Sequence, residues 1–119
     1  MKNLKLMLLI LLILGKASWY DTKSACGPKT NSFIGCPTKD GSSLYELEKR
    51  GAYFVASNQF DLGKRVKITE VISRKSVIAT VRDRGGFKKY GRIADLGRTA
   101  FQALSPLEKG VIDVEIEAL

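Results

Sequence analysis

"SVIATVRDRGGF", residues 76–87, decides the fold. Its first half reads as a strand, because Val77, Ile78, Thr80 and Val81 are β-branched and such side chains favour a pleated, half-buried surface. Its second half ends that strand abruptly, with Asp83 between Arg82 and Arg84, then Gly85 and Gly86. A surface turn uses the same residue types. The segment alone therefore admits two readings, an ordinary turn or a carboxylate presented at a strand end as a working acid. Gly85 and Gly86 lack a Cβ, which suits either a tight turn or the close approach of a ligand to backbone.

Upstream, "KRVKITEVI" (64–72) alternates Val66 and Ile68 against Arg65, Lys67 and Thr69, and with "KSVIATVR" (75–82) it predicts a hairpin. "GKASWYD" (15–21) and "AYFVAS" (52–57) are further strands, and "GVIDVEIEAL" (110–119) ends the chain with Ile112, Val114 and Ile116 alternating against acids. "GRTAFQAL" (97–104) sets Ala100, Phe101 and Leu104 on one helical face before Ser105-Pro106 stops it. "SSLYELEKRG" (42–51) predicts a helical turn or two, with Ser43 and Glu46 as a capping box and Gly51 as the stop. Thr22 to Ser43 reads as a long loop or insertion. So many short strands in a small chain predict a mainly β barrel, since closure leaves no exposed strand edge.

The chain has 119 residues, enough for one domain, and its 45% apolar content is enough for a core. A net charge of +8, from 20 basic and 12 acidic side chains, implies attraction to some polyanion or acidic surface. Histidine is absent, which excludes a His-centred triad or a His-ligated metal within this chain, and two cysteines cannot close a zinc site. No metal or organic cofactor is expected, and acid–base chemistry falls to carboxylates.

Lys2 and Lys5 precede an unbroken apolar run, Leu6 to Leu14, of nine residues. A membrane-spanning helix needs about 20, so the run reads as the core of a secretory signal. The expected division is a signal segment at 1–17, cut after Ala17, and a domain at 18–119. Its membrane contact would come only through the signal. Removing three lysines with that segment leaves +5, and the product is expected outside the cell or in the periplasm. There Cys26 and Cys36 would pair across "CGPKTNSFIGC".

Taken in order, "GKASWYD", "AYFVASNQFDLGKRVKI", "SVIATVRDRGGF" and "GRIADLGRTAFQAL" resemble the rare lipoprotein A (RlpA-like) family of double-psi β-barrels, a fold shared with expansins and barwin-like proteins. The resemblance covers Gly15 to Leu119 apart from 22–43. It implies a six-stranded double-psi β-barrel with one or two short helices. It also implies that Asp83, in the strand-end D-R-G, is the principal acid, and that Asp95 in "IADLGR" is the second aspartate, with Gly97 where the family has serine. The opening G-x-A-S-W-Y is retained as Gly15, Ala17, Ser18, Trp19 and Tyr20. Wall-cleaving members have A-A-H where this chain has "VAS", so Ser57 stands at the histidine. Their T-A-S-G-E glutamate lies eleven residues earlier, and counting back without gaps reaches Glu46.

The resemblance further implies a lytic transglycosylase, a lyase that breaks the β-1,4 bond after N-acetylmuramic acid and closes an anhydro ring on that sugar. One carboxyl can first donate a proton to the glycosidic oxygen and then accept one from the sugar's 6-hydroxyl. Strict strand alternation would send Arg82 and Arg84 to the face opposite Asp83 and leave the acid near Asp95, whose charge would help it keep its proton. Ser18, Trp19, Tyr20, Ser57, Arg84 and Gly85 are the expected substrate contacts. Trp19, Tyr20 and Tyr90 suit either sugar stacking or core packing. Arg84, Lys88, Lys89 and Arg92 form a basic cluster that could draw in an anionic polymer or simply face solvent. The expected partner is peptidoglycan or another wall polysaccharide, met by a monomer. With no histidine at residue 57, a non-catalytic expansin- or barwin-like binder is the alternative. Export, and the lack of any recognisable nucleic-acid motif, oppose nucleic-acid binding.

Overall fold

The computed structural model describes residues 12–26, 36–85 and 91–119. Gly86, Lys88, Lys89 and Tyr90, and most of the expected signal segment, lie outside the described residues. In chain order the elements are β1 (Leu12–Tyr20), α1 (Thr22–Cys26), α2 (Leu44–Lys49), β2 (Phe54–Ser57), β3 (Arg65–Glu70) and β4 (Ser76–Asp83). Then come β5 (Arg92–Gly97), α3 (Arg98–Leu104), a 3-10 turn (Leu107–Lys109) and β6 (Val111–Ala118). The six strands close a barrel in the order β1-β5-β2-β4-β3-β6. Two neighbouring pairs, β1/β5 and β2/β4, are parallel, and the other four are antiparallel.

The inward positions follow the period of two read from the sequence. Val66 and Ile68 of β3, Val77, Ala79 and Val81 of β4, and Ile112, Val114 and Ile116 of β6 are buried in one cluster. Helix α3 adds Ala100, Phe101 and Leu104 to that cluster, as its apolar face predicts. A second, smaller cluster joins Leu44 and Leu47 of α2 to Phe54 and Cys36, with Tyr20 packed against it. Ser43 caps α2 by accepting the Glu46 N–H, and Gly51, at φ 67°, turns the chain out of the helix. A disulfide joins Cys26 to Cys36, with the Cα atoms 6.1 Å apart.

Three details depart from the sequence reading. Among the described residues there are three short α-helices where one or two were expected, because Thr22–Cys26, read as loop, forms a turn of helix. Its first residue, Thr22, donates its N–H and its hydroxyl to Glu48 of α2. A strand also occupies Arg92–Gly97, where Ala94 and Leu96 are the buried apolar side chains of the core, with Ile93 packed against it, and the apolar pattern is too short to register. Finally, β1 begins at Leu12 and pairs with β6 from Leu12↔Glu117 to Ser18↔Val111. A cut after Ala17 would therefore remove six of the nine residues of β1.

Two bulges break the barrel's regularity. On the β2/β4 ladder, Val55 faces Val81 but Ala56 faces Asp83, so Arg82 is the extra residue. On the β1/β5 ladder, Lys16 faces Arg92 but Ala17 faces Ala94, so Ile93 is extra. A bulge re-aims the side chains beyond it. Val81 points inward, so uninterrupted alternation would turn Asp83 inward too. The extra Arg82 brings Asp83 round to the outer face.

Candidate functional site

Strand register assembles the two aspartates. Ala56 of β2 lies opposite Asp83 on one side and Asp95 on the other, and Asp95 lies opposite Ser18 of β1. Ser18, Asp95, Ala56 and Asp83 thus form one row across four strands. The two acids stand two strand spacings apart, about 10 Å at the backbone. Both are half-buried.

Asp83 is held from two directions. Its Oδ1 accepts the backbone N–H of Lys39 at 2.9 Å and that of Arg84 at 3.0 Å, and its Oδ2 accepts the Tyr20 hydroxyl at 3.2 Å. Tyr20 meets Phe54 edge-on at 5.8 Å and reaches past it to the acid. Burial first, then the charge of Asp83 and the hydrogen bond to it, then the charges of Asp95 and Asp40, push the Tyr20 hydroxyl well above its ordinary range. Tyr20 is therefore protonated at any physiological pH. The sequence reading assigned it to sugar contact, whereas its hydroxyl is a partner of the acid.

The arginines flanking Asp83 are engaged elsewhere, though not by the alternation expected. Arg82 pairs with Asp40 at 3.0 Å and bonds the Ser42 hydroxyl at 3.3 Å. Arg84 places its guanidinium on the carbonyls of Ser57 and Phe60, each at 2.5 Å, and so ties the end of β2 to the loop after it. The bulge removes strict alternation, and these contacts keep the two cations occupied instead.

Asp95 is itself ion-paired. Its Oδ1 accepts from Arg92 at 3.0 Å and from the Ser18 hydroxyl, and Arg92 also bonds Ser18. Of the basic residues Arg84, Lys88, Lys89 and Arg92, Arg92 is thus engaged by Asp95 and Ser18. It also neutralises part of the charge through which Asp95 was expected to act on Asp83.

The other expected contacts fall in different places. Ser57 is buried, and by alternation it shares the inward face of Val55; its hydroxyl exchanges contacts of 3.3 Å with Gln59. Trp19 is partly buried against the main core and donates its ring N–H to the Leu107 carbonyl at 3.0 Å. Gly85 is latched at both backbone atoms by the Asn58 side chain. Glu46 sits exposed on the first turn of α2, and the hydrogen bonds described around Asp83 do not include it. Among the described residues, no group of three or more His, Cys, Asp or Glu side chains is placed to hold a metal ion.

The sequence reading missed the loop Thr38–Ser42, which lies along Asp83. Asp40 N–H bonds the Arg82 carbonyl at 3.0 Å, one residue from the Lys39 contact to the acid. A signal was present. "TKDGS" keeps the T-x-x-G spacing of T-A-S-G-E, with Ser42 where the glutamate would fall, four residues before the ungapped count.

Gly97 has a different explanation from a lost cap. Strand β5 delivers it opposite Tyr20, where an added Cβ would sit 2.5 Å from the Phe54 ring. The missing side chain is the space the ring occupies.

A closed barrel of six strands, with two parallel pairs and a strand-end D-R-G facing a second aspartate across one row, is the architecture of a double-psi β-barrel. No family model matches the sequence. The endolytic peptidoglycan transglycosylase RlpA of Rickettsia prowazekii is 36% identical over 105 residues, which are 88% of this chain and 29% of that protein. Among solved structures, the apo expansin of Clavibacter michiganensis superposes with a TM-score of 0.63 at 18% identity, over 92% of this chain and 50% of that one. A mutant of that expansin in complex with cellohexaose matches equally in TM-score, 0.63. The Streptomyces papain inhibitor also gives 0.63, at 18% identity, over 92% of this chain and 94% of its own. The chain belongs to the RlpA-like family of double-psi β-barrels. It spans about a third of the length of the curated relatives it matches.

Proposed function

We propose that this domain cuts peptidoglycan glycan strands as an endolytic lytic transglycosylase in the cell envelope, with Asp83 as acid and then base. The observation that carries the reading is the bulge at Arg82, which brings Asp83 into line with Asp95 while Asp40, Ser57 and Phe60 occupy the neighbouring guanidinium groups. The relationship to proteins named endolytic peptidoglycan transglycosylase supports it. The two oxygens of Asp83 divide the work. Oδ1 takes both backbone amides, so the proton belongs on Oδ2, beside a tyrosine hydroxyl that can accept as well as donate. From Oδ2 the proton passes to the glycosidic oxygen as that bond breaks. The emptied carboxylate then takes the proton of the 6-hydroxyl as its oxygen closes on the anomeric carbon, so no water is consumed. Asp95, fixed by Ser18 and Arg92, would stabilise positive charge developing on the sugar.

The test is digestion of purified sacculi by the protein and by Asp83→Asn, with mass analysis of the soluble products. Anhydro-ended fragments from the wild type, reduced at least about 100-fold in the variant, are expected for loss of a general acid. Equal binding of both proteins to sacculi without fragments would replace this reading with a second one, a polysaccharide-binding module. Ser57 at the family's histidine position and the fold shared with a cellohexaose-bound expansin favour that second reading.

A further inference from the structure

Arg82 and Asp83 are neighbours at the bulge and lie under the same loop, and the bulge breaks the alternation that would keep the Arg82 guanidinium away from the carboxylate beside it. The guanidinium is elsewhere because Asp40 holds it. Asp40 is 18% exposed at its side chain, and its own position is fixed: Oδ1 accepts the Thr38 hydroxyl at 2.6 Å and the Ser42 N–H at 2.9 Å, which leaves Oδ2 for Arg82 at 3.0 Å. Two further bonds zip the loop onto the strand end, Asp40 N–H to the Arg82 carbonyl and Lys39 N–H to Asp83. The titratable and charged residues around Asp83 among those described are then Tyr20 from β1, Asp95 with Arg92 from β5, Lys39 and Asp40 from the loop, and Arg82 and Arg84 from its own strand end; β2 presents Ala56. Among the described cations there, Arg82 is anchored by the Ser42 hydroxyl and by Asp40, and of those two anchors Asp40 is the one that carries charge.

We infer that Asp40 is a positioning residue for the acid: it sequesters Arg82, so that Asp83 is left without a guanidinium partner and can carry a proton. Its consequence for turnover rests on the function proposed above. The capture itself needs no substrate to be read. Burial works against the charge of Asp40, but the hydrogen bonds from Thr38, Ser42 and Arg82 outweigh it and hold its carboxyl down at about 2, so the clamp stays charged wherever the enzyme would act.

Asp40→Asn isolates the effect, because the amide keeps an oxygen for Thr38 and Ser42 while presenting to Arg82 a nitrogen that cannot accept. The first measurement is rotation of the Arg82 guanidinium by nitrogen NMR. It is expected to be restrained in the wild type, still restrained in Asp40→Asn because Asp83 captures the cation, and free in Asp40→Asn/Asp83→Asn. Free rotation in Asp40→Asn alone would overturn the inference. The second is the pH profile of fragment release from sacculi. A guanidinium beside a carboxyl favours its charged form by about 1–3 pH units, and the reaction needs the protonated form. The high-pH limb in Asp40→Asn should therefore move down by about one unit, roughly a tenfold loss at a fixed pH on that limb, and should return in Asp40→Asn/Arg82→Gln. A profile that does not move, or one that Arg82→Gln fails to restore, would also overturn it. If the wild type releases no fragments, the proposed function falls, and the guanidinium measurement still decides the role of Asp40.

Discussion

The barrel has two walls built to different rules. Along β3, β6 and the first half of β4 the ladders are antiparallel and unshifted, and buried and exposed residues alternate over Arg65–Ile68 and Val111–Val114. Along the end of β1, β5, β2 and the end of β4 there are parallel pairs, two bulges and a glycine whose missing side chain houses a neighbouring ring. Asp83, Asp95, Tyr20 and Ser18 all stand on the second wall. An uninterrupted period of two would have pointed Asp83 into the core, so presenting the acid required the irregularity. The regular wall supplies the stability that an irregular one lacks.

Strand β1 belongs to both walls and offers the largest test of that division. Its first half pairs only with β6 and its second half also with β5, the register shifting between Lys16 and Ala17. A chain starting at Ser18 would lose the antiparallel half, the buried Ala17 and the packing of Ile13, and would leave β6 with an open edge. The expected loss is on the order of 4 kcal/mol, a large part of the total for a small domain. Calorimetry of the chain from Leu12 against that from Ser18 checks it. Equal melting would mean that the regular half of β1 is dispensable, as a signal cut after Ala17 requires.

How legible each wall was follows from the same contrast. Val66, Ile68, Ile112, Val114 and Ile116 announce their faces because alternation has no exception there, and the face of α3 was equally plain. On the other wall, local pattern failed. A bulge adds a residue without changing composition, so nothing in "TVRD" reveals that Arg82 is the extra one. Strand β5 hid because its apolar side chains, Ile93, Ala94 and Leu96, are few and broken by a bulge and by Asp95. The motif resemblance supplied Asp83 and Asp95 where periodicity could not. It did not reveal their partners: Lys39 reaches Asp83 from a loop distant in sequence, and Arg92 reaches Asp95 from three residues before it on the same strand.

Gly97 sharpens the comparison at a single atom. Serine there would restore the helix cap of the family pattern, worth about 1 kcal/mol on an ordinary strand-to-helix turn. Here its Cβ would meet the Phe54 ring, and overpacking a closed cluster costs about 1–3 kcal/mol. Gly97→Ser should therefore lower the denaturant midpoint, and Gly97→Ser/Phe54→Leu should recover most of it. Stabilisation by the single change would mean that the ring has room to move.

The disulfide tests whether the irregular wall can loosen alone. Cys26 and Cys36 are separated by 10 in sequence, and the loop from Cys36 carries Lys39 and Asp40 to the acid. Cys26→Ser/Cys36→Ser should cost about 2–3 kcal/mol by chain entropy. The accompanying rise in amide hydrogen exchange should appear at Lys39 and Asp40 and not at Ile68 or Val114. A uniform rise across both walls would dissolve the distinction between them.

The smallest expected effect compares two ion pairs, one for each wall. Lys16 and Asp113 meet at 3.0 Å with side chains 54% and 56% exposed, so Asp113→Asn should change stability very little. Asp40 meets Arg82 at the same distance with exposures of 18% and 30%, and the bonds from Thr38, Ser42 and Arg82 hold its carboxyl at about 2 against an ordinary 3.8. A depressed carboxyl contributes stability that is fully present above its ordinary value and is lost as pH falls through the folded one. Melting of the wild type should thus approach that of Asp40→Asn as the pH drops from 4 to 2, closing a gap of about 1 kcal/mol after solvent screening at the rim is counted. A gap that stays constant for Asp40→Asn down to pH 2 would mean that the carboxylate's charge contributes nothing to folding, and that its hold on Arg82 is geometric alone.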